Sequence, residues 1–410
     1  MSTKDDLTAI NPGVQRTLRI LPWWWVLRWV WLGEGIWVLY LTDDRGLTLG
    51  QVFLFQAVYS GFMVISEVPT GMFADHFGRR VTMIAGSAIG VLAFFAFGLA
   101  PGILVLLVSY AMFAISDALF SGADSAMLFD SLKAARRDGE FTRWHGRLNA
   151  ATAGAIGLFT LAGSLMTRWV PLAWPMVLSG ILTLPSIVLA WRMHEPPREG
   201  ARVPFLETGR ASVVLVARTP ALWSATLLMA VTTIAIMTMA QVMQPIVVGY
   251  GMPVWAVGVF VAVQMIVSAA GSWAADLVGR VVPLRHLLWI APAGSTASLL
   301  AGATEVVWLF PLFILPGIGW NVLWPHFAEF VSRRAPDQQR ATVISITNMA
   351  ASAAVVVISP ATGLAIDRLG LVPALGATVG ALLLVTAAAY GAWWRAGDHE
   401  PAPHLASHVP

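Results

Sequence analysis

Asp117, Ser121 and Asp124 stand in the stretch SDALFSGADSA, inside an apolar run where an ionisable group needs a reason to be present. Spacings of four and three residues place all of them on one stripe of a helix. An earlier run, LRWVWLGEGIW, carries Arg28 and Glu34. Their spacing turns a helix through roughly 600°, which leaves them about 120° apart and excludes a simple pair one turn apart. Each must face something else. Desolvation disfavours the charged form of a carboxylate that has no permanent cation. Glu34, set between Gly33 and Gly35 amid tryptophans, is therefore the first candidate for a proton-binding site, with Asp117 and Asp124 next. Glu67, in SEVPTG, lies a turn from Gly71 and could serve the same cavity or the charged cluster beyond it. For each of these residues the plainer reading is a permanently paired group that fixes helix packing.

The elements that must position these side chains follow from composition. The chain has 410 residues, of which 57% are hydrophobic and 11% charged, and a mean hydropathy of +0.72. That balance belongs to a membrane protein. About twelve runs are long enough to cross the hydrocarbon core as helices, over approximately 20–42, 50–74, 81–100, 103–128, 149–168, 172–192, 220–246, 254–277, 284–303, 305–330, 341–364 and 370–394. The links are short and leave no room for a soluble catalytic domain. The absence of cysteine excludes disulfides and thiolate metal sites. The start, MSTKDDLTAINPGVQRTLRI, has acidic residues and no short apolar core with a cleavage site, so no signal peptide is expected. Most of the 25 Lys and Arg residues fall on the side of the N-terminus; Arg45, Arg168 and Arg368 lie on the other, and Arg28 lies within a run. Both termini are expected to be cytoplasmic. The net charge of +3 reflects this asymmetry rather than nucleic-acid binding.

ADHFGRR at 74–80 returns as ADLVGRV at 275–281, about half the chain later. Between the copies, residues 191–219 hold two adjacent prolines, several arginines and no spanning run. The expected organisation is a six-helix bundle over 1–192, a cytoplasmic linker over 193–219, a second bundle over 220–395 and a tail over 396–410. Two six-helix halves of the same orientation form the parallel-repeat plan of one large transporter class.

The pattern G-x-x-x-D-x-x-G-R-R, as Gly71, Asp75, Gly78, Arg79 and Arg80, resembles the signature of the major facilitator superfamily. His76 stands where lysine or arginine is usual, and Ser272 takes the place of the first glycine in the second copy. The resemblance implies that Asp75 meets an arginine of its loop, a carboxylate at the end of helix 4, by position Asp130, and the N-terminus of helix 11. That cluster would be a latch between the halves in the outward-facing state, with Gly71 allowing close helix approach and Asp276, Arg280 and Glu329 forming a counterpart in the second half. The plainer reading is that these charges anchor helix ends.

The resemblance also implies that helices 1, 4, 7 and 10 line a central cavity, across which Arg28 facing Asp124 or Asp117 is the simplest pairing and leaves a carboxylate over. In the second half Gln241, Gln244 and Gln264, and Trp320, Asn321 and Trp324, would form a polar and aromatic wall suited to an amphipathic solute. PWWWVLRWVW, residues 22–31, reads as an interfacial belt. His326 reads as structural, and His399, His404 and His408 are too scattered for a metal site. EVPTGMFADHFGRR and SGADSAMLFDSLK look like bacterial drug:proton antiporters, although the helix 4 arginine of many antiporters is absent and helix 5 has Gly154, Gly157 and Gly163 without the usual Gly-Pro. The expectation is a monomeric, multi-pass transporter of the bacterial inner membrane that exchanges protons for amphipathic, drug-like solutes by alternating access. The rival is a proton-linked symporter importing a sugar or an amino acid. No cofactor other than the coupling proton is expected, and no phosphate-binding loop points to ATP. A membrane enzyme would have only Asp43 and Asp44 as an outer metal pair, and a transport-inactive sensor is the fourth class.

Overall fold

The structure is a computed structural model that describes residues 11–196, 205–304, 306–336 and 340–396. Part of the expected linker, nearly all of the expected tail and the three tail histidines lie outside the described residues. Every regular element among those described is helical. In chain order they are α1 (Pro12–Leu27), α2 (Trp37–Leu39) continued by a π turn (Tyr40–Asp44), α3 (Leu49–Phe77), α4 (Arg79–Gly98), α5 (Ile103–Phe120), α6 (Ala123–Ala134), α7 (Phe141–Met166) and α8 (Ala173–Arg192). There follow α9 (Phe205–Arg218), α10 (Pro220–Gly249), α11 (Trp255–Val281), α12 (Leu284–Ala303), a 3-10 segment (Val307–Ile314), α13 (Leu315–Arg334), α14 (Arg340–Leu369) and α15 (Leu371–Arg395).

Ten helices among the described residues are long and apolar enough to cross a membrane. Two of the expected spans are not in that set. The run at 284–303 forms α12 but carries Arg285, His286 and several hydroxyl residues. The first run is not one helix. Pro12 at the first turn and the Asn11 side chain, which accepts from the Gly13 N–H at 2.8 Å, start α1. It stops at Leu27, and residues 28–36 are non-helical. Gly33 and Gly35 each disfavour helix by about 1 kcal/mol relative to alanine, and tertiary contacts complete the break. The Leu32 N–H donates to the buried Ser179 hydroxyl at 2.9 Å, and Gly163 lets the Leu32 carbonyl press directly against α7, where any side chain would overlap it. The expected helix over 20–42 is corrected accordingly. The run over 103–128 is also divided, at Ser121–Gly122, because Gly122 turns with φ +76.

The chain clusters into two compact units. One comprises residues 1–47, 58–201 and 251–266; the other comprises 48–57, 202–250 and 267–410. In the first, α4 packs along α5 and α8, and α1 lies against α6, α7 and α8. Its core includes Val14, Leu18, Leu21, Trp24, Trp25, Met127, Leu128 and Leu132. In the second, α10 packs against α12, α13, α14 and α15. The expected interfacial belt is revised here. Trp24 and Trp25 are fully buried, and the Trp24 indole N–H donates to Ser87 Oγ at 3.1 Å, whereas Trp23 is exposed. An indole with its N–H satisfied adds a large apolar surface to a core at little polar cost.

Candidate functional site

The ends of two interrupted helices meet inside the first unit. Arg28 follows the last residue of α1, and Asp124 stands in the first turn of α6. Arg28 Nη2 donates to Asp124 Oδ2 at 2.6 Å, and both side chains are about nine-tenths buried. The placement suits the helix dipoles, since a cation favours a C-terminus and an anion an N-terminus. Four rings surround the guanidinium, with centroids 5.0 to 5.3 Å away: Trp24, Trp25, Trp29 and Phe120. Asp124 also accepts from the Ser125 N–H and, at 3.0 Å, from the Ser125 hydroxyl. This buried pair is satisfied by more than its Coulomb attraction, which a desolvated pair requires.

The carboxylate left over is Asp117. Its Oδ2 accepts from the Tyr59 hydroxyl at 2.7 Å. Tyr59, on α3, is not among the residues that spacing and charge single out; the signal for it is the rarity of a phenol inside an apolar run, where its O–H requires an acceptor. Glu34 sits partly buried in the non-helical segment between α1 and α2, near enough to Tyr59 and Tyr110 for its charge to act on both. Glu67 Oε1 accepts from Ser121 Oγ at 3.4 Å, at the α5–α6 break. The first unit thus gathers Arg28, Glu34, Glu67, Asp117 and Asp124 around the interruptions of two helices.

The signature residues form a second cluster. Arg79 donates to Asp130 and, at 2.7 Å, to the Ala126 carbonyl, joining the start of α4 to α6. Asp75 lies exposed on the last turn of α3. Gly71 mediates no close approach in this arrangement, since a Cβ there would meet no atom within 4 Å, contrary to expectation. Gly78 turns the chain with φ +95. Glu195 is a functional neighbour that the sequence pattern does not reveal. Its carboxylate accepts from the Arg79 N–H at 2.9 Å and the Arg80 N–H at 3.0 Å, capping α4, while Arg80 also donates to the Trp191 carbonyl. The segment carrying it is fastened by His194, whose N–H donates to Thr17 Oγ1 at 2.7 Å. Replacing Glu195 by alanine should lower the unfolding free energy by about 1 kcal/mol, the usual worth of a lost N-cap. Denaturant titration of the purified protein in detergent would measure it, and no change would mean that water replaces the carboxylate.

In the second unit Asp276 and Arg280 of the expected latch counterpart pair with each other at 2.6 Å, and Glu329 pairs with Arg333 at 2.5 Å, each one turn away on its own helix. Exposed pairs of this kind contribute little. His326 instead packs its ring against Gly279. Asn321 accepts from the Ser272 hydroxyl at 2.7 Å and donates to the Gly317 carbonyl at 2.9 Å. Trp320 and Trp324 stack with centroids 5.2 Å apart. Gln241 and Gln244 are each 1% exposed and offer no surface to a solute in this arrangement; the Gln241 amide donates to the Met237 carbonyl one turn back.

Apolar helices that carry a buried ion pair and further carboxylates at their interruptions make a membrane transporter. The sequence model of the Major Facilitator Superfamily matches residues 34–360, and the chain belongs to that superfamily. It is 30% identical over 88 residues to the uncharacterized MFS-type transporter YxaM of Bacillus subtilis (strain 168), a match that spans 22% of each chain. Its fold is similar to a bacterial homolog of the human lysosomal transporter Spinster, with a TM-score of 0.71 and 17% identity over 96% of this chain and 99% of that one. It is also similar to the nucleoside transporter NupG, with a TM-score of 0.76 and 11% identity over 93% and 99% of the two chains. A third likeness is to a POT family transporter, with a TM-score of 0.70 and 12% identity over 94% and 96%. At these identities the structural likeness establishes the fold. Family and fold make the chain a secondary transporter that moves small molecules rather than an enzyme.

Proposed function

We propose that the chain is a proton-coupled exporter of amphipathic small molecules, working by alternating access with twelve membrane segments and both termini in the cytoplasm of a bacterial cell. The observation that carries this reading is the division of labour around Arg28. The guanidinium gives its close ion pair to Asp124, and Asp117 is held by a neutral hydroxyl instead. A carboxylate so placed can take up and release a proton without breaking the structural pair. Glu34, on the non-helical segment nearby, is the second proton carrier. The cluster of Asp75, Arg79 and Asp130 acts as the cytoplasmic latch. Carboxylates outnumber cations in the interior of the first unit, which favours a solute that is neutral or cationic and aromatic.

The test uses purified protein in liposomes that enclose a pH-sensitive dye, with lipophilic cations, neutral drugs, sugars and amino acids added in turn. Lipophilic compounds should drive proton movement in the wild type, and Glu34→Gln should lose it. Proton movement driven only by a sugar or an amino acid would replace export by symport, and retained coupling in Glu34→Gln would remove that residue from the proton path.

A further inference from the structure

The break in the first membrane segment has a construction of its own. Both ends are tied down. On one side Arg28 is held by Asp124 and the aromatic rings. On the other, the Tyr40 hydroxyl donates to the Phe97 carbonyl at 2.7 Å, and Arg45 donates to Tyr40 at 2.8 Å and to the Ala100 carbonyl at 2.8 Å. The stretch between them, residues 28–36, passes through close quarters at Gly33 and Gly35. A Cβ at Gly33 would overlap Met176, one at Gly35 would overlap the Ser164 hydroxyl, and one at Gly163 would overlap the Leu32 backbone. Beside Gly35 on α7, the hydroxyls of Ser164 and Thr160 are fully buried and make no hydrogen bond. Serine and threonine inside a helix ordinarily bond the carbonyl one turn back. Orphan hydroxyls facing non-helical backbone at membrane depth mark an arrangement whose polar groups are not at their optimum. Glu34 lies in the middle of this stretch.

We propose that residues 28–36 are a two-state joint, non-helical while Glu34 is ionised and wound into helix when Glu34 takes up a proton. An ionised carboxylate is stabilised by amide N–H groups that are not committed to a helix. Once it is neutral, bonds within a helix satisfy those amides best in a low-dielectric setting. Winding carries the Glu34 carboxyl around the helix axis, so taking up the proton and moving the carboxyl are one event. Tyr59 on α3 and Tyr110 on α5 are the phenols within reach of the Glu34 charge, and Asp117, which accepts from Tyr59, is the next titratable group beyond them. This inference rests on the proton-coupled reading above.

Hydrogen–deuterium exchange of the full chain in liposomes, at acidic and alkaline pH and corrected for intrinsic rates, tests it. Amides of Trp31, Gly33, Glu34 and Gly35 should exchange about tenfold or more slowly at acidic pH, as newly formed helical bonds protect them; Trp29, Val30, Leu32 and Ile36 already donate to other groups. Glu34→Gln should remain slow at both. Gly35→Ala, whose Cβ intrudes on Ser164, should also be slow at both, and Gly35→Ala with Ser164→Gly should recover the response, which separates the effect from misfolding. Equal exchange at both pH values in the wild type, a persisting response in Glu34→Gln, or no recovery in the double variant would each overturn the joint. If solute-driven proton flux persists while exchange is invariant, the joint fails and the transport reading stands. If exchange responds to pH without flux for any compound, the joint stands and the transport reading fails.

Discussion

Arg28→Ala is expected to destabilise the protein by about 3–5 kcal/mol, because removing one partner of a buried pair leaves an uncompensated charge. The side chains of Arg28 and Asp124 are 8% and 10% exposed, so solvent offers little relief. Part of that loss is the contact of the guanidinium with four aromatic rings. Replacing both partners with apolar residues of similar volume, Arg28→Met with Asp124→Leu, should recover most of the loss. Unfolding of the two variants in mixed micelles decides the matter. A single variant within about 0.5 kcal/mol of the wild type would show that Asp124 finds another cation or protonates readily. Transport should fail in both variants, because the pair also fixes where the two interrupted helices meet.

Asp117→Asn should abolish solute-driven proton movement to the level of empty liposomes while leaving the fold intact. The asparagine carbonyl can still accept from the Tyr59 hydroxyl, so the 2.7 Å contact has a replacement. What is lost is the capacity to change charge. Solute binding measured by tryptophan quenching should persist, and downhill solute movement without protons is the expected residual activity. If proton coupling survives, Asp117 is a packing residue and Glu34 carries the coupling alone. If binding disappears as well, Asp117 contacts the solute directly.

Part of this site is legible in the amino-acid sequence. The alternation of apolar runs and short links identifies the membrane segments, and the spacing of Asp117, Ser121 and Asp124 places them on one stripe. The angle between Arg28 and Glu34 excludes their pairing, and the family resemblance, which sets helix 1 opposite helix 4, points Arg28 to one of the two helix 4 aspartates. Gly71, Asp75, Gly78, Arg79 and Arg80 point to the superfamily because short signature loops are encoded contiguously. In the second copy Asp276 and Arg280 satisfy each other one turn apart on α11, a pairing that contiguous sequence makes legible.

What is local could be read from the sequence: which runs are apolar enough to leave water, and which ionisable residues lie within them. Hydrophobic transfer and helix periodicity act over a few residues, so these features need no knowledge of distant segments. Only the tertiary structure decided which aspartate takes Arg28, a choice between groups brought from 96 residues away by packing. It alone showed that the first segment breaks at Arg28, since Ser179 supplies the partner for the Leu32 N–H and Gly163 the space for its carbonyl. It also placed Glu195 on the first turn of α4, where two amide groups without helical partners needed an acceptor. A buried polar group must be satisfied by whatever packing brings within reach, and that is a property of the folded chain.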